Sequence, residues 1–301
     1  MRLIKPSYDI WDTSYSLERI LEHIERVGRV CYKSEDRIKY DECGNSLTAK
    51  PFVDKLIESD HLSVLEHGTI YLMIPADRAH DASGNIWVID NYGNSCYSAM
   101  NYNKQNYYIT TNYRVLVEND WLDDLRYLCA PTEYHEKRVT VKFICDRGVS
   151  HEFVRHRVFS FAQESTRYCN YSKDKFCNEI TFIEPCWLED YNYEDNTYNQ
   201  IFIDSLRFAE AHYLDLLKKW DDKIPDKRYK TGFRNNPWTP QQARAILPNA
   251  LKTELVMTGF VSDWENFFKL RATKAGAIGP HPQASELANP LYEEFLKRKY
   301  I

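Results

Sequence analysis

The eight cysteines of this 301-residue chain form no C-x-x-C pair, and their irregular spacing matches no zinc site. Glycine-rich nucleotide turns are missing too. There is no G-x-G-x-x-G, no P-loop and no G-x-S-x-G, and GAIG at 276–279 is too short to serve as one. No apolar run reaches the length of about 18 residues that a membrane-spanning helix needs. The opening MRLIKPSYDI holds no apolar core of signal-peptide length, so reduced thiols and a cytoplasmic location are expected. The formal charge of -5 gives no general attraction to nucleic acid or to an anionic membrane. Internal repeats and low-complexity tracts are absent. Any anion bound here must therefore be held by a local cluster of cations.

What is present is enough for a folded core. Hydrophobic residues make up 43% of the chain, and the 22 tyrosines argue against disorder. Leu17, Ile20, Leu21, Ile24 and Val27 recur at helical spacing behind Ser16, an expected N-cap. Ile70, Leu72 and Ile74 alternate and stop at Pro75, as a strand does; Val139, Val141, Phe143 and Cys145 alternate likewise. Asp146-Arg147-Gly148 turns the second strand, and Ser150 is expected to cap a short helix beginning HEFVRHR. The stretch 81–119 is rich in Asn, Tyr and Ser and reads as an ordered insertion. Within it, IWVID (86–90) and YRVLVE (113–118) look strand-like. A long amphipathic helix is expected over 198–220. Thr239-Pro240 should start another, which Pro248 breaks or kinks. Strands grouped before helices, without regular alternation, predict an α+β fold in a single domain covering 1–301.

The chemistry concentrates in RHRVFSFAQESTRY, residues 155–168. Arg155, Arg157 and Arg167, with Ser165 and Thr166 nearby, supply the guanidinium forks and hydroxyls that a phosphate monoester needs. A solvated basic patch is the plainer alternative. Arg271 shares a helical face with Trp264, Phe267 and Phe268. It is costly there unless it meets an anion or acceptor, as in a structural salt bridge, or sits at the stripe's edge and reaches water. Arg244, in ARAILP, poses the same choice. His156, between two arginines, is expected to be neutral. His61 and His67 bracket Glu66, but no matching third and fourth ligands accompany them, so no metal is expected.

RHR, seven residues and a serine, followed by Arg-Tyr, resembles the signature of flavin-dependent thymidylate synthases. Further landmarks follow the family's order: GRVCYKS, HLSVLEH, RAILP and NFFKLRA, covering the chain from about Gly28 to the C-terminal helix. The resemblance implies methylation of dUMP to dTMP, with methylenetetrahydrofolate as carbon donor and NADPH as reductant through FAD. It also implies a homotetramer with shared active sites and an α+β fold built on a bulged, largely antiparallel sheet packed with helices. Residue by residue, it places dUMP against Glu152, Arg155, Gln163, Glu164, Ser165, Thr166, Arg167, Arg244 and Arg271. The catalytic residue would be Arg271, favouring ionised N3 of the uracil. FAD would meet Ser63, Arg155, His156, Arg157, Gln163 and Asn266, and His61 would lie beside substrate and folate. The chain departs from the family pattern at Ala162 and Gln163, where Asn-Glu is frequent, and at Phe260, where a polar flavin contact is common. Extra residues separate Arg271 from His281. Pro185-Cys186 superficially matches the nucleophile segment of the unrelated classical thymidylate synthases, but nothing around it does. Two other readings use the same residues. One is a non-catalytic nucleotide- or RNA-binding protein that stacks bases on the Tyr/Asn-rich insertion. The other is a flavin reductase that uses the arginines for FAD alone.

Overall fold

In the computed structural model, residues 1–12, 15–188, 197–218 and 237–301 are described. The chain opens with β1 (Arg2–Ile4) and β2 (Ser7–Trp11), then α1 (Leu17–Tyr32) and α2 (Ala49–Glu58). Next come β3 (Thr69–Pro75), β4 (Ala99–Tyr102), β5 (Asn106–Asn112), α3 (Tyr113–Glu118) and β6 (Arg138–Asp146). The functional half continues with α4 (Arg147–Phe153), β7 (Ser160–Gln163), β8 (Thr181–Ile183), α5 (Thr197–Leu217) and α6 (Pro240–Ala243). It closes with β9 (Lys252–Phe260), α7 (Val261–Arg271) and α8 (Pro282–Lys297).

The fold is α+β, with its strands divided among three sheets rather than gathered into one. A four-stranded antiparallel sheet runs β2-β6-β9-β7, and a three-stranded antiparallel sheet runs β3-β5-β4. β1 and β8 form a short parallel pair. β6 and β9 pair over nine consecutive positions, from Arg138↔Phe260 to Asp146↔Lys252, and this is the rigid floor beneath the site.

Periodicity accounts for most of these elements. Ser16 caps α1 by accepting from the Arg19 amide at 3.4 Å, and Ile20, Leu21, Ile24 and Val27 are buried. A methyl at Gly28 would meet the Phe52 ring at 2.7 Å, so α1 and α2 approach closely only because this position lacks a side chain. Trp264, Phe267 and Phe268 of α7 are buried against Phe143 and Phe153, a set worth about 1.5–3 kcal/mol per fully buried side chain.

Three expectations are corrected. IWVID is helical turn, and YRVLVE is α3, started by the Asn112 side chain accepting from the Val115 amide at 3.2 Å. Local capping outweighs the strand preference of Val and Tyr there. The cap of α4 is Asp146, which accepts from the Val149 amide at 2.8 Å; Ser150 lies inside the helix and donates to the Arg147 carbonyl. The helix expected over 198–220 is α5, and its last two residues fall outside the described ones. The stretch 81–119 supplies β5, the middle strand of its sheet, and packs Val88, Tyr92 and Ile109 into a core cluster.

All eight cysteines are free thiols. Among the described residues no helix is long and apolar enough to cross a membrane, and no group of His, Cys, Asp or Glu is placed to hold a metal ion.

Candidate active site

Two arginine clusters lie at the ends of the RHR segment. The first joins α4, the turn after it, and the end of α7. Arg271 Nη1 meets Glu152 Oε2 at 2.5 Å, Nη2 donates to the Glu152 carbonyl at 3.2 Å, and Nε donates to His156 Nε2 at 3.0 Å. The structural salt bridge foreseen for Arg271 is thus present, and its partner is Glu152. With Nε2 accepting, the His156 proton belongs on Nδ1. Burial, then the Arg271 charge, pushes His156 down to about 4. The imidazole is neutral as expected, but the responsible cation is Arg271 from α7 rather than the flanking Arg155 and Arg157.

The second cluster follows β7. Arg167 Nε donates to Gln241 Oε1 at 3.1 Å, and Arg244 Nη1 donates to Thr166 Oγ1 at 3.3 Å. These contacts seat the 165–167 loop against α6 and the turn after it. The loop is held from below by the Ser165 amide donating to the Cys31 carbonyl, in the GRVCYKS landmark, at 3.0 Å. Thr239 begins α6 with its amide donating to Gln242 Oε1 at 2.9 Å, which fixes the helix that Arg244 directly follows. Two exposed guanidinium groups, a serine and a threonine therefore converge, as an anion requires. Among the described residues no hydrogen bond or ion pair joins the two clusters.

Arg155 and Arg157 stand between them, exposed, with no side-chain partner among the described residues. The next residue, Val158, has φ +79°, a left-handed conformation unusual for a β-branched side chain, and it re-aims the chain into β7. Ser63 and Asn266 are exposed, and their side chains have no hydrogen-bond partner among the described residues. Ser63 lies on a turn, Leu62–His67, anchored by Arg138 donating to the Glu66 carbonyl at 3.0 Å and by His67 Nδ1 against Thr258 Oγ1 at 2.8 Å. His61, at the start of the same turn, lies 3.4 Å from Ser59 Oγ.

Gln163 and Glu164 are engaged inward. Gln163 Nε2 donates to Ser150 Oγ at 2.8 Å and Thr253 Oγ1 at 3.2 Å. Glu164 is buried, accepting from Lys252 Nζ at 2.7 Å and the Tyr171 hydroxyl at 3.0 Å. Lys252 also contacts Glu254, which Lys33 and Lys142 reach as well. Burial alone raises the Glu254 carboxyl, but Lys252, Lys33 and Lys142 together hold it well below the usual carboxylate range. Glu164 thus belongs to a buried ionic network under the loop, invisible in the sequence because Lys252 is 88 residues away. Ala162 and Phe260 are both buried.

A cavity of about 280 Å³ adjoins the first cluster. Glu152 is in its wall, with His281, which matches a family histidine on the flavin side, and with Asp146 and Trp187, which the sequence did not place in a site. Asp146 was legible only as a turn residue, and Trp187 only as a neighbour of Cys186.

Residues 130–298 match the family described as thymidylate synthase complementing protein. The flavin-dependent thymidylate synthase of Mycolicibacterium gilvum (strain PYR-GCK) is 33% identical over 128 residues, covering 42% of this chain and 46% of that protein. That of Mycobacterium tuberculosis (strain ATCC 25618 / H37Rv) is 34% identical, with the same coverage. The chain spans about half the length of these curated relatives. A solved UMP/dUMP methylase, PolB from Streptomyces cacaoi, bound with 5-Br dUMP, aligns with a TM-score of 0.43 and 16% identity, covering 99% of this chain and 93% of that one. With the family match covering more than half of its length, this chain belongs to the thymidylate synthase complementing protein family.

Proposed function

We propose that the protein methylates dUMP to dTMP, using FAD, methylenetetrahydrofolate as the carbon donor and NADPH as the reductant. The observation that carries this reading is the Arg271 guanidinium, held by a neutral His156 and by Glu152, a residue of the cavity wall. Its motif position is the one where family resemblance puts the residue facing uracil N3.

The chemistry follows from charge. Because His156 is neutral, it neither repels nor neutralises the Arg271 guanidinium charge. A fixed cation in a partly desolvated setting favours an anion forming beside it, here the imide of the pyrimidine ring. Deprotonation at N3 makes C5 more electron-rich, and C5 is the carbon to be methylated. Glu152 Oε1 has no partner among the described residues and is available to accept from the ring. No enzyme nucleophile is required. The dUMP phosphate is assigned to Ser165, Thr166, Arg167 and Arg244, with Arg155 nearby. Gln163 and Glu164 support that loop from beneath.

The flavin's requirements fit what this chain offers. Arg155 and Arg157 carry guanidinium groups that no carboxylate neutralises among the described residues, which suits a pyrophosphate. Ser63, His156 and Asn266 are assigned to the same cofactor, and His61 to the folate side. The flavin, when bound, supplies reducing equivalents drawn from NADPH. A cytoplasmic homotetramer with active sites shared between subunits completes the proposal.

The base-stacking alternative is weakened by the tyrosines themselves. Tyr102 stacks on Tyr107 and Tyr108 on Tyr134, while Tyr92 is buried, so much of the insertion's aromatic surface is already used within the protein. The experiment is an absorbance spectrum of purified protein, then NADPH oxidation with and without dUMP, then assay for dTMP. Flavin bands, oxidation that responds to dUMP, and dTMP appearing only with methylenetetrahydrofolate are expected. No flavin and no dUMP response after FAD addition would overturn the reading.

A further inference from the structure

The turn Leu62–His67 carries Ser63 and directly follows His61, and it is gripped from two sides. One grip comes from the 81–119 insertion. β5 pairs with β3 in a register that sets Asn112 opposite Thr69, so α3 starts beside the end of the turn. There the Tyr113 amide donates to the Gly68 carbonyl at 2.8 Å, and Arg114 Nη1 donates to Glu66 Oε1 at 2.5 Å. Arg114 Nη2 also meets Glu118 Oε1 at 2.7 Å, one helical turn on, which steadies the guanidinium within α3.

The other grip is Arg138, the first residue of β6. Its side chain is buried, and no carboxylate pairs with it among the described residues. A buried guanidinium without a counter-ion is costly, and burial lowers this one to about 10. Its donors go to neutral oxygens instead. Nη1 donates to the Glu66 carbonyl at 3.0 Å and to Thr69 Oγ1 at 3.4 Å, and Nη2 donates to Ser160 Oγ at 3.3 Å. Ser160 opens β7. One cation thus ties the turn that carries Ser63 to the strand that follows the RHR segment.

We propose that Arg114, supplied by the insertion, and Arg138 are positioning residues for the flavin. They hold Glu66 at its carboxylate and at its carbonyl, so the turn is set before the cofactor arrives. The proposal rests on the functional reading above and adds to it what the insertion contributes to the site. Packing alone accounts for Val88, Tyr92 and Ile109 of the insertion, but it does not call for an arginine that reaches out of α3 to Glu66. A turn ordered in advance loses less conformational freedom when the cofactor docks, so the effect falls on flavin affinity. The loop assigned to the dUMP phosphate is held separately, through Gln241, Arg244 and the Cys31 carbonyl, so dUMP affinity is left alone.

The test is fluorescence titration of FAD into flavin-free protein, for wild type, Arg114→Ala, Arg114→Lys and Glu118→Gln, followed by dUMP titration of each flavin-saturated protein. The Arg114 and Glu118 side chains are 35% and 39% exposed, so the variants are expected to fold, which a melting curve checks. Arg114→Ala should weaken FAD about fivefold or more. Arg114→Lys keeps a cation for Glu66, and Glu118→Gln removes only the pair inside α3, so each should change FAD affinity by less than about twofold. The dUMP dissociation constant should move by less than about twofold in all three. In flavin-free Arg114→Ala, amide hydrogen exchange should quicken about fivefold or more over residues 62–68 and stay unchanged in β6 and β9. Unchanged FAD affinity in folded Arg114→Ala, or FAD and dUMP weakened alike, would overturn the positioning role and leave the functional reading standing. A wild-type protein that binds no FAD would overturn both.

Discussion

Arg271 Nε donates to His156 Nε2 across 3.0 Å, tying the last turn of α7 to the middle residue of the RHR segment, 115 residues earlier. The bond joins the residue assigned to the pyrimidine to a residue assigned to the flavin. It also explains why an arginine ends a helix face of Trp264, Phe267 and Phe268: those rings are buried, and the guanidinium is delivered to a carboxylate and an imidazole at their edge.

Arg167→Ala should weaken dUMP binding about tenfold or more, since a charge-assisted phosphate contact is lost while Arg244 remains. Equilibrium titration of dUMP measures it. Equal affinity in variant and wild type would place the phosphate elsewhere.

Cys186→Ser should keep turnover of dUMP. The chemistry assigned to Arg271 uses no thiol, and Cys186 follows Pro185 in a loop whose resemblance to a nucleophile segment stops at those two residues. Complete loss of turnover with flavin still bound would contradict the proposed route.

Acid should destabilise the fold through its buried histidines. Burial, with Arg26 and Arg138 nearby, lowers His23 to about 3, and His67 is likewise held well below its ordinary value. The two are joined through Thr140 and Thr258 across β6 and β9. Folded-state values below the unfolded ones mean that this stability is fully present above pH of about 6.5 and is withdrawn as pH falls toward 3. For His23 alone the loss by pH 5 is about 2 kcal/mol. Urea midpoints measured from pH 7.5 down to pH 5 should fall, and less steeply in His23→Gln. Midpoints that do not move with pH would refute it.

Phe267→Ala should cost about 3–5 kcal/mol of stability. The ring is fully buried and packs on Phe143, Phe153 and Trp264, with His156 at 5.0 Å. Thermal denaturation reads the loss. A change below about 1 kcal/mol would mean that the cluster collapses around the missing ring.

Long amphipathic and alternating segments were legible in the sequence. Ser16, the spacing of α1, the alternation in β3 and β6, and Thr239-Pro240 each carry a local cause that survives folding. YRVLVE was misread because its β-branched residues outweighed one preceding asparagine, whose side chain starts the helix. The site was legible as residue types, through the arginines and the RHR pattern. Its partners were not, because Glu152 lies 119 residues from Arg271, Gln241 lies 74 from Arg167, and Thr166 lies 78 from Arg244. Trp187 and Asp146 gave no sign of a shared cavity, since only the meeting of β8, α4 and α8 creates it.

The central claim is that the Arg271 charge promotes methylation by favouring an ionised pyrimidine ring, and comparing Arg271→Ala with wild type tests it most directly. The variant, saturated with FAD and dUMP, should retain its flavin absorbance while dTMP formation falls about 100-fold or more. Wild-type dTMP turnover in a flavin-loaded Arg271→Ala protein would contradict that role.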